Sequence, residues 1–198
     1  MQAIDALLTR HSARTLGEPG PDEAALQLIF ASAVHAPDHG RLRPWRFIVV
    51  RGAARERLGD LFAAHLERVQ PGLSSETRER ERLKAFRAPL VVVVAAHCNP
   101  AVKIPVIEQT LSAGTAAHAM MLAAFTLGFN AKWKTGGAAY DAVVKQALGL
   151  EAGDAIVGFL YLGTETSTSP APSADRPWRD LVSYLSEAVP EDDNGAPR

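Results

Sequence analysis

The stretch Ala36–Val50, A-P-D-H-G-R-L-R-P-W-R-F-I-V-V, crowds Asp38, His39, Arg41 and Arg43 into a turn bounded by Pro37 and Pro44, with Trp45 and a third arginine, Arg46, directly after it. Such a set offers a metal site, acid–base catalysis, an anion cradle or only a charged surface loop. His35 and His39 stand four residues apart, the spacing with which one helix face holds zinc. Pro37 lies between them and pushes the residue before it out of the helical region, so the shared face is lost and no metal site is expected. Ser12 with a histidine and Asp38 would make a hydrolytic triad, but no G-x-S-x-G elbow accompanies them. His97-Cys98 reads as a small buried thiol beside a strand-end histidine rather than a nucleophile.

A second segment, Arg10-His11-Ser12-Ala13-Arg14, is suited to phosphate. Guanidinium forks bind phosphate bidentately, and a serine hydroxyl adds a donor. A solvated helix end reads the same way, because the last turn of a helix favours basic residues. Neither G-x-G-x-x-G nor G-x-x-x-x-G-K-[ST] occurs, so a phosphate here must be held by side-chain cations rather than by a glycine-rich loop.

The elements that must position these residues follow from periodicity. Ile4, Leu7 and Leu8 lie at helical spacing and predict a short amphipathic helix over Gln2–Thr9. Gly17, Pro19, Gly20 and Pro21 predict a loop. Asp22 is an N-cap for a helix over Glu23–His35 that Pro37 ends. Trp45–Arg51 is β-branched and aromatic and predicts a strand. Arg55–Val69 predicts a helix, and charge-dense Ser74–Phe86 an exposed helix or mobile excursion. Pro89–Ala96, with four consecutive valines, predicts a strand buried on both faces. Ile104–Phe129, rich in Ala and Gly, predicts one long helix of roughly 37 Å at the centre of the domain or in a subunit interface. Ala131–Lys134 predicts a short strand, Thr135-Gly136-Gly137 a tight turn, Tyr140–Leu148 a helix and Ala155–Gly163 a further strand. Ser167–Ser173 reads as a loop, Trp178–Leu185 as a last apolar segment and Val189–Arg198 as a disordered tail.

Strands alternating with helices predict an α/β or α+β class. The 198 residues fit one domain over 1–187, with 188–198 as tail. Formal net charge is −1 and no aromatics interleave the basic runs, which disfavours nucleic acid and anionic membrane as partners. A single cysteine allows no intramolecular disulfide, and the absence of a signal peptide and of a membrane-length apolar run suits a reducing cytoplasm.

Taken in order, the segments R-H-S-x-R, A-P-x-x-x-x-x-x-P-W-x-F, the long small-residue helix, the W-x-x-G turn and the terminal G-F-L-Y-L-G strand resemble the FMN-dependent nitroreductase family. The similarity is greatest to the small bacterial nitroreductase-like subgroup with A-P-D-H, and it covers about residues 2–185. The resemblance implies an α+β fold with a mixed central sheet flanked by helices, and an obligate homodimer with two FMN sites at the interface. It implies that Arg10, His11, Ser12 and Arg14 bind the phosphate and ribityl chain, and that His35 and His39 reach the flavin from the other subunit. Trp133, Lys134, Thr135 and Gly136 match the turn over the flavin ring, with the Thr135 backbone N–H directed at N5. Arg176 matches a further phosphate partner. The implied activity is ping-pong transfer of hydride from NAD(P)H through FMN to a nitroaromatic, quinone or related electron-poor acceptor. The flavin carries the redox chemistry, which explains the lack of a catalytic acid–base pair.

One departure stands out. Much of the family has N-x-Q-P-W where this chain has Arg41-Leu42-Arg43-Pro44-Trp45. If Arg43 reaches the pyrimidine edge, its charge favours the anionic reduced flavin. Two other functions share parts of the pattern: an FMN-binding sensor, store or partner without general reductase turnover, and a hydrolase using histidine and aspartate, which would be colourless. Val69–Phe86 and Asn99–Glu108, the segments expected over the flavin, carry no recognisable substrate motif.

Overall fold

The computed structural model describes residues 2–167 and 177–185. The elements run α1 (Ala3–Thr9), β1 (Leu16–Gly17), α2 (Glu23–Ala33), β2 (Trp45–Arg51), α3 (Ala54–Val69), α4 (Ser75–Arg82), β3 (Leu90–Ala96), α5 (Val106–Thr126), β4 (Asn130–Lys134), α6 (Ala142–Ala147) and β5 (Ala155–Glu165). The class is α+β, as expected. Every strand pair is antiparallel: β3 lies between β2 and β5, and β5 also pairs with β4 and β1. The one parallel contact among the described residues is an isolated bridge, Ser12 to Ala131.

The valine run explains the layering. Residues along a strand alternate between faces, and β3 is buried at every position. Leu90, Val92, Val94 and Ala96 pack with Leu26 and Ile29 of α2 and with Ala113, Ala116, Ala117, Met120 and Ala124 of α5. Val91, Val93 and Ala95 pack on the other side with Leu58 and Phe62 of α3, with Val144 of α6 and with Phe159 and Tyr161 of β5. The sheet is therefore the middle layer, and the small residues of α5 let α2 and the sheet close around it.

The boundaries moved where sequence signals were weak. α2 stops at Ala33, before the proline constraint applies, and the predicted loop at Gly17 holds the two-residue strand β1. Asp22 caps α2 as expected, accepting from Ala25 N–H at 2.8 Å. Ser74–Phe86 is no loose excursion. It forms α4 and then a 3₁₀ turn over Leu83–Phe86, seated on α3 where Gly59 leaves no room for a Cβ beside Arg82. α1 forms, yet Ile4, Leu7 and Leu8 stay 54, 51 and 52 % exposed. Trp178–Leu185 is exposed throughout and holds only a 3₁₀ turn at Arg179–Leu181. The Val189–Arg198 tail and most of Ser167–Ser173 lie outside the described residues.

Candidate active-site cleft

The bridge from Ser12 to Ala131 lays the R-H-S-x-R segment along β4 and so brings together two motifs more than a hundred residues apart. Side chains at Lys132 and Lys134 point to one face of β4, and those at Ala131 and Trp133 to the other. Lys132 stands opposite Tyr161 and Lys134 opposite Phe159 on β5. Lys132 Nζ donates to the Arg14 carbonyl at 2.8 Å, which fastens the two segments together.

On the lysine face two adjoining cavities open, of about 460 and 430 Å³, sharing Arg87, Lys134 and Tyr161. The first is lined by Arg14, Phe86, Arg87 and Lys132, and among the described residues no carboxylate borders it. The second is bordered by Lys84, His65 and the Thr135-Gly136-Gly137 turn, with Glu81 paired to Lys84. Burial, with the charges of Lys134 and Arg87, pushes the Lys132 ammonium below its ordinary pKa. Burial also pushes the Tyr161 hydroxyl up to about 12, against the pull of Arg87. This crowding of cations, of which only Lys84 has a carboxylate partner among the described residues, suits an anionic ligand.

Arg10 adds a second sign of the same kind. Its Nη1 is buried and has no hydrogen-bond partner among the described residues, although Arg10 itself lines neither cavity. A buried donor left unpaired costs on the order of 1–3 kcal/mol. His11, expected beside it as a binder, is anchored instead: its Nε2 lies 2.8 Å from Glu165 Oε2, an oxygen that also accepts from Asn130 Nδ2 at 2.9 Å. Ser12 and Arg14 are exposed.

Of the turn residues, Lys134, Thr135 and Gly136 present themselves to the cleft. Trp133 does not. Its indole lies on the α5 side of the sheet, where Nε1 donates to the Val157 carbonyl at 3.1 Å. Its contribution is to hold β4 from behind.

The Ala36–Val50 stretch sits elsewhere on the surface. His35 is exposed, and His39 Nδ1 meets Glu108 Oε2 of α5 at 2.6 Å. Arg41 and Arg43 adopt positive φ, 54° and 49°, next to Gly40 at 75°. That region disfavours side chains by roughly 1–2 kcal/mol per residue. Asp38 offsets it, its two carboxylate oxygens accepting from Leu42 N–H at 3.1 Å and Arg43 N–H at 2.8 Å. Asp38 is thus the organiser of this turn. None of His35, His39, Arg41 and Arg43 lines the cavities described above. Arg176 lies outside the described residues.

Sequence reasoning missed Lys84, Arg87, Lys132 and Tyr161. A signal existed for two of them: Lys132 alternates with Lys134, and both strands flank a motif already singled out. Arg87 and Lys84 carried none, because only the fold brings the 3₁₀ turn to the cleft. Among the described residues the grouping of three donor side chains within reach of one metal ion, His97, Glu151 and Asp154, lies at the opposite end of β3 from the cleft. There Asp154 serves the backbone, accepting from Glu151 N–H at 3.0 Å. Cys98 beside it is buried.

The sequence profile of the nitroreductase family matches residues 7–164. YdjA of Escherichia coli (strain K12), which carries the provisional name NAD(P)H nitroreductase, is 42 % identical over 166 residues, 83 % of this chain and 88 % of YdjA. The fold matches the crystal structure of a nitroreductase-like family protein from Bacillus cereus with a TM-score of 0.78 at 23 % identity, over 93 % of this chain and 96 % of that one. It also matches a nitroreductase with bound FMN from Bacteroides fragilis NCTC 9343, with a TM-score of 0.71 at 17 % identity, over 94 and 100 % of the two chains. With its profile spanning the sheet, the R-H-S-x-R segment and the turn that border the cleft, the chain belongs to the nitroreductase family.

Proposed function

We propose that this protein is a homodimeric, FMN-dependent NAD(P)H oxidoreductase acting on electron-poor acceptors such as nitroaromatics or quinones. The observation that carries the reading is the buried, unpartnered Nη1 of Arg10, in the same segment as Arg14 and its carboxylate-free, cation-lined cavity. A phosphate removes the cost of that orphaned donor and neutralises its neighbours. The relatives' names and the FMN held by the Bacteroides protein support the same reading.

FMN, when bound, supplies the two-electron chemistry between a nicotinamide and the acceptor. The chain binds and orients it. Arg10, Ser12 and Arg14, with Arg176, hold the phosphate and ribityl chain. Lys134, Thr135 and Gly136 present the turn to the ring, the Thr135 N–H being the donor offered to N5. Lys84, Arg87 and Lys132 place positive charge around the cavities, which favours an anionic reduced ring. His11 and Trp133 keep the two segments in place.

His35, His39 and Arg43 serve the cleft of a second protomer. Ile4, Leu7 and Leu8 of α1, and Ile107 and Leu111 of α5 at 62 and 61 % exposure, form the apolar surface for it. No helix among the described residues is long and apolar enough to cross a membrane, and a cytoplasmic setting fits the single buried thiol.

The absorption spectrum of the purified protein before and after anaerobic NADPH tests the reading. A yellow chromophore that bleaches is expected, from a particle of about twice 21.2 kDa. A colourless protein that takes up no added FMN would overturn it. Yellow protein without steady NAD(P)H oxidation in the presence of acceptors would leave a flavin-binding protein and remove the reductase.

A further inference from the structure

Beside the Thr135-Gly136-Gly137 turn, three side chains with no assigned binding role are joined, one of which, His65, also borders the second cavity. His65 Nδ1 on α3 donates to Asp141 Oδ2 at 2.7 Å. Arg68, one turn further on, reaches both carboxylate oxygens with Nη2 at 2.9 Å. The same carboxylate caps α6, accepting from Val143 N–H at 2.8 Å and Val144 N–H at 3.0 Å. The His65 and Asp141 side chains are only 13 and 12 % exposed.

An ionised carboxylate only accepts, so the imidazole hydrogen sits on Nδ1 and the ring orientation is set. The Nε2 edge makes no hydrogen bond among the described residues. It fills the space that a Cβ on Gly137 would need, so ring and turn fit only because position 137 is glycine. The turn is thus tied at both ends. Lys134 is held in the ladder opposite Phe159, and Asp141, four residues past Gly137, is held to α3.

We infer that His65, Asp141 and Arg68 form a latch that fixes the Thr135–Gly137 turn against α3, and that His65 is thereby a positioning residue for the flavin. The inference rests on the FMN reading above. A buried imidazole held by a carboxylate is how proteins fix a neighbouring group to a fraction of an ångström, and binding geometry is sensitive on that scale. An ordinary helix cap with a salt bridge would contribute stability and nothing else. The latch also sets where the turn backbone meets the ring.

The test compares His65→Ala, His65→Asn and Arg68→Ala by FMN titration, flavin midpoint potential and the amide resonances of Gly136 and Gly137 in the apoprotein. Asparagine restores a donor at the Nδ1 position. His65→Ala is expected to weaken FMN binding by about tenfold or more, to shift the potential and to move both amides, with His65→Asn recovering most of each change. Arg68→Ala leaves the imidazole in place and is expected to shift the same quantities less, so the comparison survives if His65→Ala does not fold. Variants that lose thermal stability but keep the affinity, the potential and the amides of the parent overturn the latch. So does a loss that asparagine fails to recover. If the parent itself takes up no FMN, the flavin reading fails first, and the apoprotein amides alone then decide the latch.

Discussion

The Trp133 indole donates to the carbonyl of Val157, the residue that the β3–β5 ladder passes over where its register shifts between Val94 and Ala95. Gly158, next along β5, has no room for a Cβ against the indole. The bulge, the glycine and the tryptophan are therefore one device. It satisfies a carbonyl that the irregular ladder leaves over and keeps β4 seated so that Lys132 and Lys134 face the cleft.

Gly158→Ala should therefore drive the indole out of its seat. Overpacking of this kind costs about 1–3 kcal/mol. Urea unfolding should show the loss, together with a red-shifted tryptophan emission. Unchanged stability and emission would mean that the ring is not held there.

Acid stability should depend on Asp141. Burial alone would push its carboxyl up, but the His65 hydrogen bond, the Val144 N–H and Arg68 outweigh it and hold it well below the usual carboxylate range. A depressed folded pKa contributes stability that is fully present above the unfolded value of about 3.9 and is lost as pH falls through the folded value. Asp141→Asn should thus be less stable than the parent at neutral pH, by about 1–3 kcal/mol for the charge-assisted hydrogen bonds it weakens. The gap should begin to narrow below about pH 4 and close only as the pH falls through the depressed folded value. Parallel stability curves down to strong acid would contradict the assignment.

Arg10 separates binding from folding. Replacing its guanidinium, of which Nη1 is buried, by methionine removes an unsatisfied donor, so the apoprotein of Arg10→Met should gain on the order of 1 kcal/mol. FMN affinity should fall by about tenfold or more. Thermal scans with and without FMN check both signs in one experiment, because ligand stabilisation scales with affinity. A variant that loses stability and keeps its affinity would show that Arg10 already has its partner.

Arg43 should act on potential rather than on folding, since its side chain is exposed and the turn is held through its backbone N–H. Arg43→Gln is expected to lower the flavin midpoint potential with little change in melting temperature. An unchanged potential would remove Arg43 from the ring's surroundings.

Much of this architecture was legible in the chain. The valine run announced a strand covered on both faces, and Asp22 marked the start of α2, although the helix ends at Ala33, short of the limit that Pro37 sets. The resemblance singled out the R-H-S-x-R and Trp133–Gly136 segments, and the fold brings Arg14 and Lys134–Gly136 to adjoining cavities. What periodicity cannot supply is convergence. Lys84 and Arg87 reach the cleft because α4 and its 3₁₀ turn fold back on α3 at Gly59, a contact with no sequence signature of its own. His11 and Trp133 belong to the right motifs, but Glu165 and the Val157 carbonyl claim their side chains. Which polar atom meets which partner is decided by a strand register that only the folded sheet defines.

That register makes β4 intolerant of a change in length. Its five residues send cations to one side and Ala131 and Trp133 to the other. Deleting a single residue upstream in this strand would exchange the two sets, driving two ammonium groups against α5 and laying an indole across the cavity floor. Substitutions along β4 can be graded, each with its own moderate cost. A one-residue deletion has no such gradation, because it removes the packed core and the cation-lined wall in the same event.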